Sequence, residues 1–222
     1  MAKASLIKTS IARKVAMAIS ALFLIIFLTQ HFFINVTSIF NADTFNELSH
    51  FMGYNPFVQY VIQPILFFGV IFHFVMGIIL ELQNKGARDT KYAKYAGKEN
   101  ATWMSRNMIW SGLTILAFLA LHLYDFWIHE MNVKYIDVQA EDPTRYFPEL
   151  VEKFHEIWRV ALYVVSFVFL AMHLKHGFQS AFQSLGARGK LTPFIKKFGD
   201  VYSILIAVGF IAIALFHHFN QL

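Results

Sequence analysis

Residues 15–34 read VAMAISALFLIIFLTQHFFI, twenty positions without a formal charge and with a histidine, His31, near the far end. A helix needs roughly 20 mostly apolar residues to cross a hydrocarbon core. An ionisable ring inside such a run is expensive and functional by default. With the first span placed at 12–36, four further apolar runs follow near 57–83, 104–128, 155–183 and 199–220. The 222 residues are 57% hydrophobic with 25 Phe, above the roughly 45–50% apolar content of a soluble domain. No strand alternation is present, and a bilayer admits only helices or closed barrels. The expected fold is an all-α integral membrane protein, a single domain over 1–222 with five transmembrane helices.

The N-terminal MAKASLIKTSIARK is basic and precedes an apolar run, as in a signal peptide. That run is too long for one, lacks a small-residue cleavage site and carries His31, so it reads as a retained span. With no cysteine, disulfides, iron–sulfur ligation and covalent C-x-x-C-H haem attachment are excluded. The net charge of +5 is not a nucleic-acid signature, because most of the basic residues lie on one side of the spans. Lys3, Lys8, Arg13 and Lys14 precede the first span, and Lys85, Arg88, Lys91, Lys94, Lys98 and Arg106 join the second to the third. Lys175, Arg188, Lys190, Lys196 and Lys197 surround the turn into the fifth, while Asp43, Glu47, Glu130, Asp137, Glu141, Asp142, Glu149, Glu152 and Glu156 gather opposite. Positive loops stay cytoplasmic, which places the N-terminus inside and His217 and His218 outside.

Four in-span histidines sort into two pairs by local sequence. His73 and His173 each open H-x3-G-x8-G-A-R, through Gly77, Gly86, Ala87 and Arg88 in one case and Gly177, Gly186, Ala187 and Arg188 in the other. His31 and His122 each close S-[A/G]-L-x2-[I/L]-x-F-L-x2-H, beginning at Ser20 and Ser111. Helix rise turns these spacings into depth. His31 lies 17 residues after Lys14 and His122 lies 16 after Arg106, roughly 25 Å from the inner surface in each case. His73 precedes Lys85 by 12 residues and His173 precedes Gly186 by 13, so both sit nearer the cytoplasm. Depth and motif agree on the pairing, and together they point to two non-covalent bis-histidine haems stacked across the bilayer. Gly77 and Gly177, one turn past the inner histidines on the same face, would leave room for a macrocycle. Ser20, Ala21, Ser111 and Gly112 keep the first and third helices thin, as in ordinary membrane helix packing.

Other readings stand beside this one. A membrane histidine also bonds neighbouring carbonyls or lines a proton path, and apolar helices align with one another by chance. His176, Arg13, Lys14 and Arg106 are candidates for propionate contacts, with topological anchoring as the plainer reading. Glu47, His50, Tyr124, Asp125, His129 and Glu130 fall near the outer surface, where a quinone site would need proton donors and acceptors; a solvated acidic face is the plainer account.

The run Met17–His31, the stretch His122-Leu-Tyr-Asp125-Phe-Trp127 and the stretch His173-Leu-Lys-His176-Gly177 through Gly186 resemble the dihaem cytochrome b subunit of succinate:quinone oxidoreductases. The likeness is to the single-polypeptide anchor of epsilon-proteobacterial fumarate reductases and Bacteroidetes-like succinate dehydrogenases, and it covers nearly the whole chain. The resemblance implies a bacterial inner-membrane anchor without catalysis of its own. A flavoprotein and an iron–sulfur subunit would dock on the basic face, and two b haems would link them to menaquinone. It also implies succinate oxidation or fumarate reduction, and leaves a dimer of complexes open. Some members carry a proton-transferring glutamate two residues before the fourth-helix histidine. Here that position is Ala171. Two alternatives remain: a cytochrome b of another quinone-linked dehydrogenase or hydrogenase, and a haem-free transporter or structural protein, which would favour helices unwound at Gly/Pro centres.

Overall fold

The computed structural model describes residues 10–86, 108–187 and 189–220. Among these, every regular element is helical. The elements are α1 (Ser10–Phe40), α2 (Ala42–Tyr54), α3 (Gln63–Gly86), α4 (Met108–His122), α5 (Tyr146–Lys153), α6 (Ile157–Ser184) and α7 (Thr192–Phe219). Five helical stretches are long and apolar enough to cross a membrane: Ile11–Phe40, Val58–Asn84, Met108–Ile136, Ile157–Ser184 and Gly189–Phe219. They pack as one bundle, and the architecture is that of a multi-pass membrane protein.

α6 is the hub. It packs against α7, α4 and α1, whereas α3 leans chiefly on α1. The reason is visible in its buried stripe. Val160, Tyr163, Phe167, Leu174, Phe178 and Ala181 are buried at helical spacing, facing Ile206, Phe210, Ile213 and Ala214 of α7. Two glycines of α7 set how closely it approaches its neighbours, Gly199 toward α6 and Gly209 toward α1. A Cβ at Gly199 would come within 2.8 Å of the Phe178 ring, and one at Gly209 would collide with Phe32. The share of buried residues falls from 39% in the fifth span to 6% in the second, so the fourth and fifth form the packed half of the bundle.

The span ends differ in places from the sequence expectation. The third span continues past 128 to Ile136, because wide π-helical turns at Leu123–Ile128 and Asn132–Ile136 carry the helix into the expected loop. The connection at 37–56 is mostly α2, started by Asn41, whose side chain accepts from the Thr44 N–H at 2.8 Å. A π-helical turn at Val58–Ile62 precedes Pro64, a common accommodation where a proline withholds its N–H. The fifth helix starts at Thr192 instead of 199, with Pro193 in its first turn, where the missing N–H costs nothing.

α6 stops in a Schellman arrangement: Ala187 N–H donates to Phe182 O at 3.0 Å and Gly186 N–H to Gln183 O at 3.1 Å. Gly186 has φ +90°, a backbone conformation suited to glycine. The Gly186-Ala187 step of the sequence repeat is therefore a helix-stop signal in α6. It holds the histidine at a set distance from the basic end.

Candidate functional site

The bundle brings the four histidines together in two pairs. His73 of α3 and His173 of α6 have ring centroids 6.3 Å apart with planes at 68°. His31 of α1 and His122 of α4 have centroids 5.6 Å apart with planes at 85°. None of the four is exposed. Phe27 stacks on His31 at 5.6 Å, and Phe118 and Phe126 flank His122 at 5.8 and 5.2 Å, so the pair nearer the acidic end has aromatic walls.

Each pair has a different polar environment. Ser20 Oγ is 3.1 Å from His73 Nδ1, and Ser111 Oγ is 3.2 Å from His173 Nδ1. These serines open the S-[A/G]-L motifs, so the motif contributes a hydroxyl to each inner histidine as well as a thin helix face. Eleven residues separate each serine from the histidine closing its motif. At 100° per residue both then face the same way, roughly 16 Å apart along the helix. One stripe on α1, and one on α4, thus serves both levels. Asn35 Nδ2 lies 3.4 Å from the His31 ring nitrogens while donating to His31 O at 2.8 Å. His122 Nδ1 is buried without a hydrogen-bond partner.

The ring separations can be compared with those of two imidazoles bound to one metal ion. Imidazole nitrogens bind metals at roughly 2 Å, so two rings on opposite sides of one metal have centroids about 6 Å apart. Both pairs are near that spacing. Among the described residues, no three His, Cys, Asp or Glu converge on a shared metal position; a macrocycle that brings its own equatorial nitrogens needs only two protein ligands. A Cβ at Gly177 would meet nothing within 4 Å, and one at Gly77 only Met17 Cε at 3.6 Å. Arg13, at the basic end of α1, has a buried Nε without a hydrogen-bond partner, a donor available to an anionic substituent. Lys14 is exposed, and His176 sits half-buried one turn beyond His173. Arg106 lies outside the described residues.

No family model, no curated protein and no solved structure matches this chain.

The candidates at the acidic end separate into distinct environments. Asp125 is 1% exposed, turned inward on the π-helical stretch that follows His122. Its Oδ2 accepts the Tyr163 hydroxyl at 2.9 Å and lies 3.5 Å from Arg159 Nε, both on α6. Glu130 sits in an ion network. It pairs with Lys134 at 2.6 Å and with Arg145, which also holds Glu149 at 2.9 Å. His129 reaches Glu149 at 3.3 Å, and Lys134 donates to Gly53 O. Burial alone would loosen the Arg145 proton, but its bonds to Glu130 and Glu149 outweigh that and hold the guanidinium more firmly protonated than usual. Burial, reinforced by the Glu130 charge, pushes the Tyr146 phenol up. His50 pairs with Glu141 at 2.8 Å. Glu47 and Tyr124 are exposed. Sequence reading missed Lys134, Arg145, Arg159 and Tyr163: Lys134 with Glu130 and Arg145 with Glu149 are i,i+4 pairs that spacing could have flagged, whereas Arg145 with Glu130, and Arg159 and Tyr163 with Asp125, meet only across elements.

Beside this network is a cleft of about 420 Å³ lined by Tyr54, Gln59, Tyr60, Lys134, Tyr135 and Glu141, among others. That volume is within the range of small-molecule sites. Lys134 Nζ stands 4.0 Å over the Tyr54 ring, so aromatic walls and a charged group meet there.

Proposed function

We propose that this chain is the membrane-anchor cytochrome b of a succinate:quinone oxidoreductase, passing electrons between an iron–sulfur subunit and a quinone through two b haems. The observation that carries the haem reading is the meeting of four in-span histidines as two pairs on two levels, at 6.3 and 5.6 Å. The partner and substrate assignment rests on the resemblance of residues 17–31, 122–127 and 173–186 to that family.

In this reading His73 and His173 hold the inner haem, and His31 and His122 the outer. A b haem, when bound, would supply reversible one-electron chemistry, and holding it with two histidines would suit it to electron transfer instead of oxygen activation. The protein fixes the rings on four separate helices and excludes water with Phe27, Phe118 and Phe126. Gly77 and Gly177 spare space one turn from the inner ligands, and Arg13 offers its Nε near the basic end. The basic end is cytoplasmic and docks the flavoprotein and iron–sulfur subunits, in a bacterial inner membrane. Menaquinone exchanges at the acidic end, where the tyrosine-lined cleft adjoins the Glu130 network; of the expected ionisable groups His50 reaches the cleft wall through Glu141 and Tyr54, whereas Asp125 faces α6 and Glu47 and His129 do not line it. Ala171 provides no proton carrier in α6. The chain has no catalysis alone, and either direction of succinate–fumarate conversion fits.

The test is a reduced-minus-oxidised spectrum with haem quantitation on the purified protein, beside His31→Ala and His73→Ala. Two b haems per chain, with each variant losing a different one, is the expected result. Well-folded protein without haem overturns the reading and returns the histidines to packing or proton transfer. Succinate-dependent reduction of the haems in the assembled complex then tests the partner assignment.

A further inference from the structure

Ser20 and Ser111 do more than thin their helices. Ser20 Oγ donates to Met17 O at 2.8 Å, and Ser111 Oγ to Met108 O at 2.9 Å. A serine hydroxyl has one proton and two lone pairs. With the proton committed to the helix carbonyl, the oxygen can only accept from the imidazole beside it. Nδ1 of His73 and of His173 must then carry the ring proton, and Nε2 of each keeps its lone pair. Donation to the carbonyl also polarises the hydroxyl oxygen and makes it a better acceptor.

Back-bonding of serine to a carbonyl one turn earlier is ordinary in helices, and Ser166 does it toward Leu162 O at 2.7 Å. What sets Ser20 and Ser111 apart is the second contact, made at matching positions of two repeats to the two members of one histidine pair. The outer pair lacks it. His122 Nδ1 is unpartnered, and the Asn35 amide near His31 is a donor already engaged with His31 O.

We propose that Ser20 and Ser111 are positioning residues for the inner haem, fixing the tautomer of both axial histidines and raising their basicity; this rests on the haem reading above. Partners on the distal nitrogen of a ligating histidine orient the ring and strengthen it as a ligand. A more basic ligand favours ferric over ferrous iron, so each serine holds the inner potential down and leaves the outer one untouched.

The test is a redox titration of the purified holoprotein, followed by optical and electron paramagnetic resonance spectra, on wild type, Ser20→Ala, Ser111→Ala, Ser20→Thr and Ser166→Ala. The alanine variants at 20 and 111 are expected to raise one midpoint only and to shift the low-spin ferric signal of that haem. A tenfold change in the ferric-to-ferrous preference corresponds to about 59 mV. Ser20→Thr, which keeps the hydroxyl, restores the wild-type value, and Ser166→Ala moves neither. Selective loss of the inner haem in the alanine variants, rescued by threonine, equally supports the role. If an alanine variant fails to assemble, the cysteine variant, similar in size but a weak acceptor, takes its place. Two haems with unchanged potentials and signals overturn the positioning role alone. Wild-type protein without haem overturns the haem reading as well.

Discussion

Ser38 Oγ lies 2.8 Å from His217 Nε2, tying the acidic ends of α1 and α7 together where the serine is 3% and the histidine 2% exposed. Ser38 also donates to Asn35 O at 2.6 Å, so by the one-proton argument His217 donates from Nε2. The neighbours of this ring are Phe147 and Phe216, at 5.6 and 5.3 Å. Here a serine–histidine bond is a structural pin, and it serves as an internal comparison for the bonds at His73 and His173.

Ser38→Ala leaves the His217 N–H buried and unsatisfied, at a cost of about 1–3 kcal/mol. Thermal unfolding in detergent is expected to show that loss. Haem content per folded chain should not change, in contrast to substitutions at the paired histidines.

Asp125 gives a larger effect. Tyr163→Phe removes one hydrogen bond to a charged group and is expected to cost about 1.5–3 kcal/mol. Asp125→Ala strands Arg159 without its counter-charge and is expected to cost about 3–5 kcal/mol. Replacing Asp125 and Arg159 together by apolar residues should recover much of it; a double variant no better than Asp125→Ala would show that the pairing is not what matters.

Gly177 separates fit from stability. A Cβ there meets nothing in the protein within 4 Å, so Gly177→Ala should keep or slightly raise the unfolding temperature of the haem-free protein, since alanine is favoured over glycine inside a helix by about 0.8–1 kcal/mol. The same substitution is expected to lower inner-haem content to well under one per chain, read from the reduced spectrum. Full occupancy would mean that the space beside Gly177 is not used by the macrocycle.

The spans and the histidine pairing were legible because both depend on one-dimensional quantities. Apolar run length marks a membrane helix wherever it occurs, and a fixed rise per residue converts spacing into depth. That is why His31 with His122, and His73 with His173, follow from counting. The ends of the spans were less legible. The π-helical turns after His122 change the angular phase of the helix, so a face projected at 100° per residue does not foresee Asp125 turning inward to Tyr163. The residues proposed together at the acidic end share a depth but not a location: His129 and Glu130 join Arg145 and Glu149, Asp125 joins α6, and Glu47 and Tyr124 stay exposed.

An all-helical, five-span chain with histidines at two depths follows from the residues of each segment, because hydrophobic length and helical rise are local properties. Which side chains meet is a matter of packing: Ser20 with His73, Ser111 with His173, Arg159 with Asp125, Ser38 with His217. Those contacts depend on the rotation of each helix about its axis. The packing of α6 and α7 around their aromatic residues and glycines sets that rotation for the fourth and fifth spans, and no single segment encodes it.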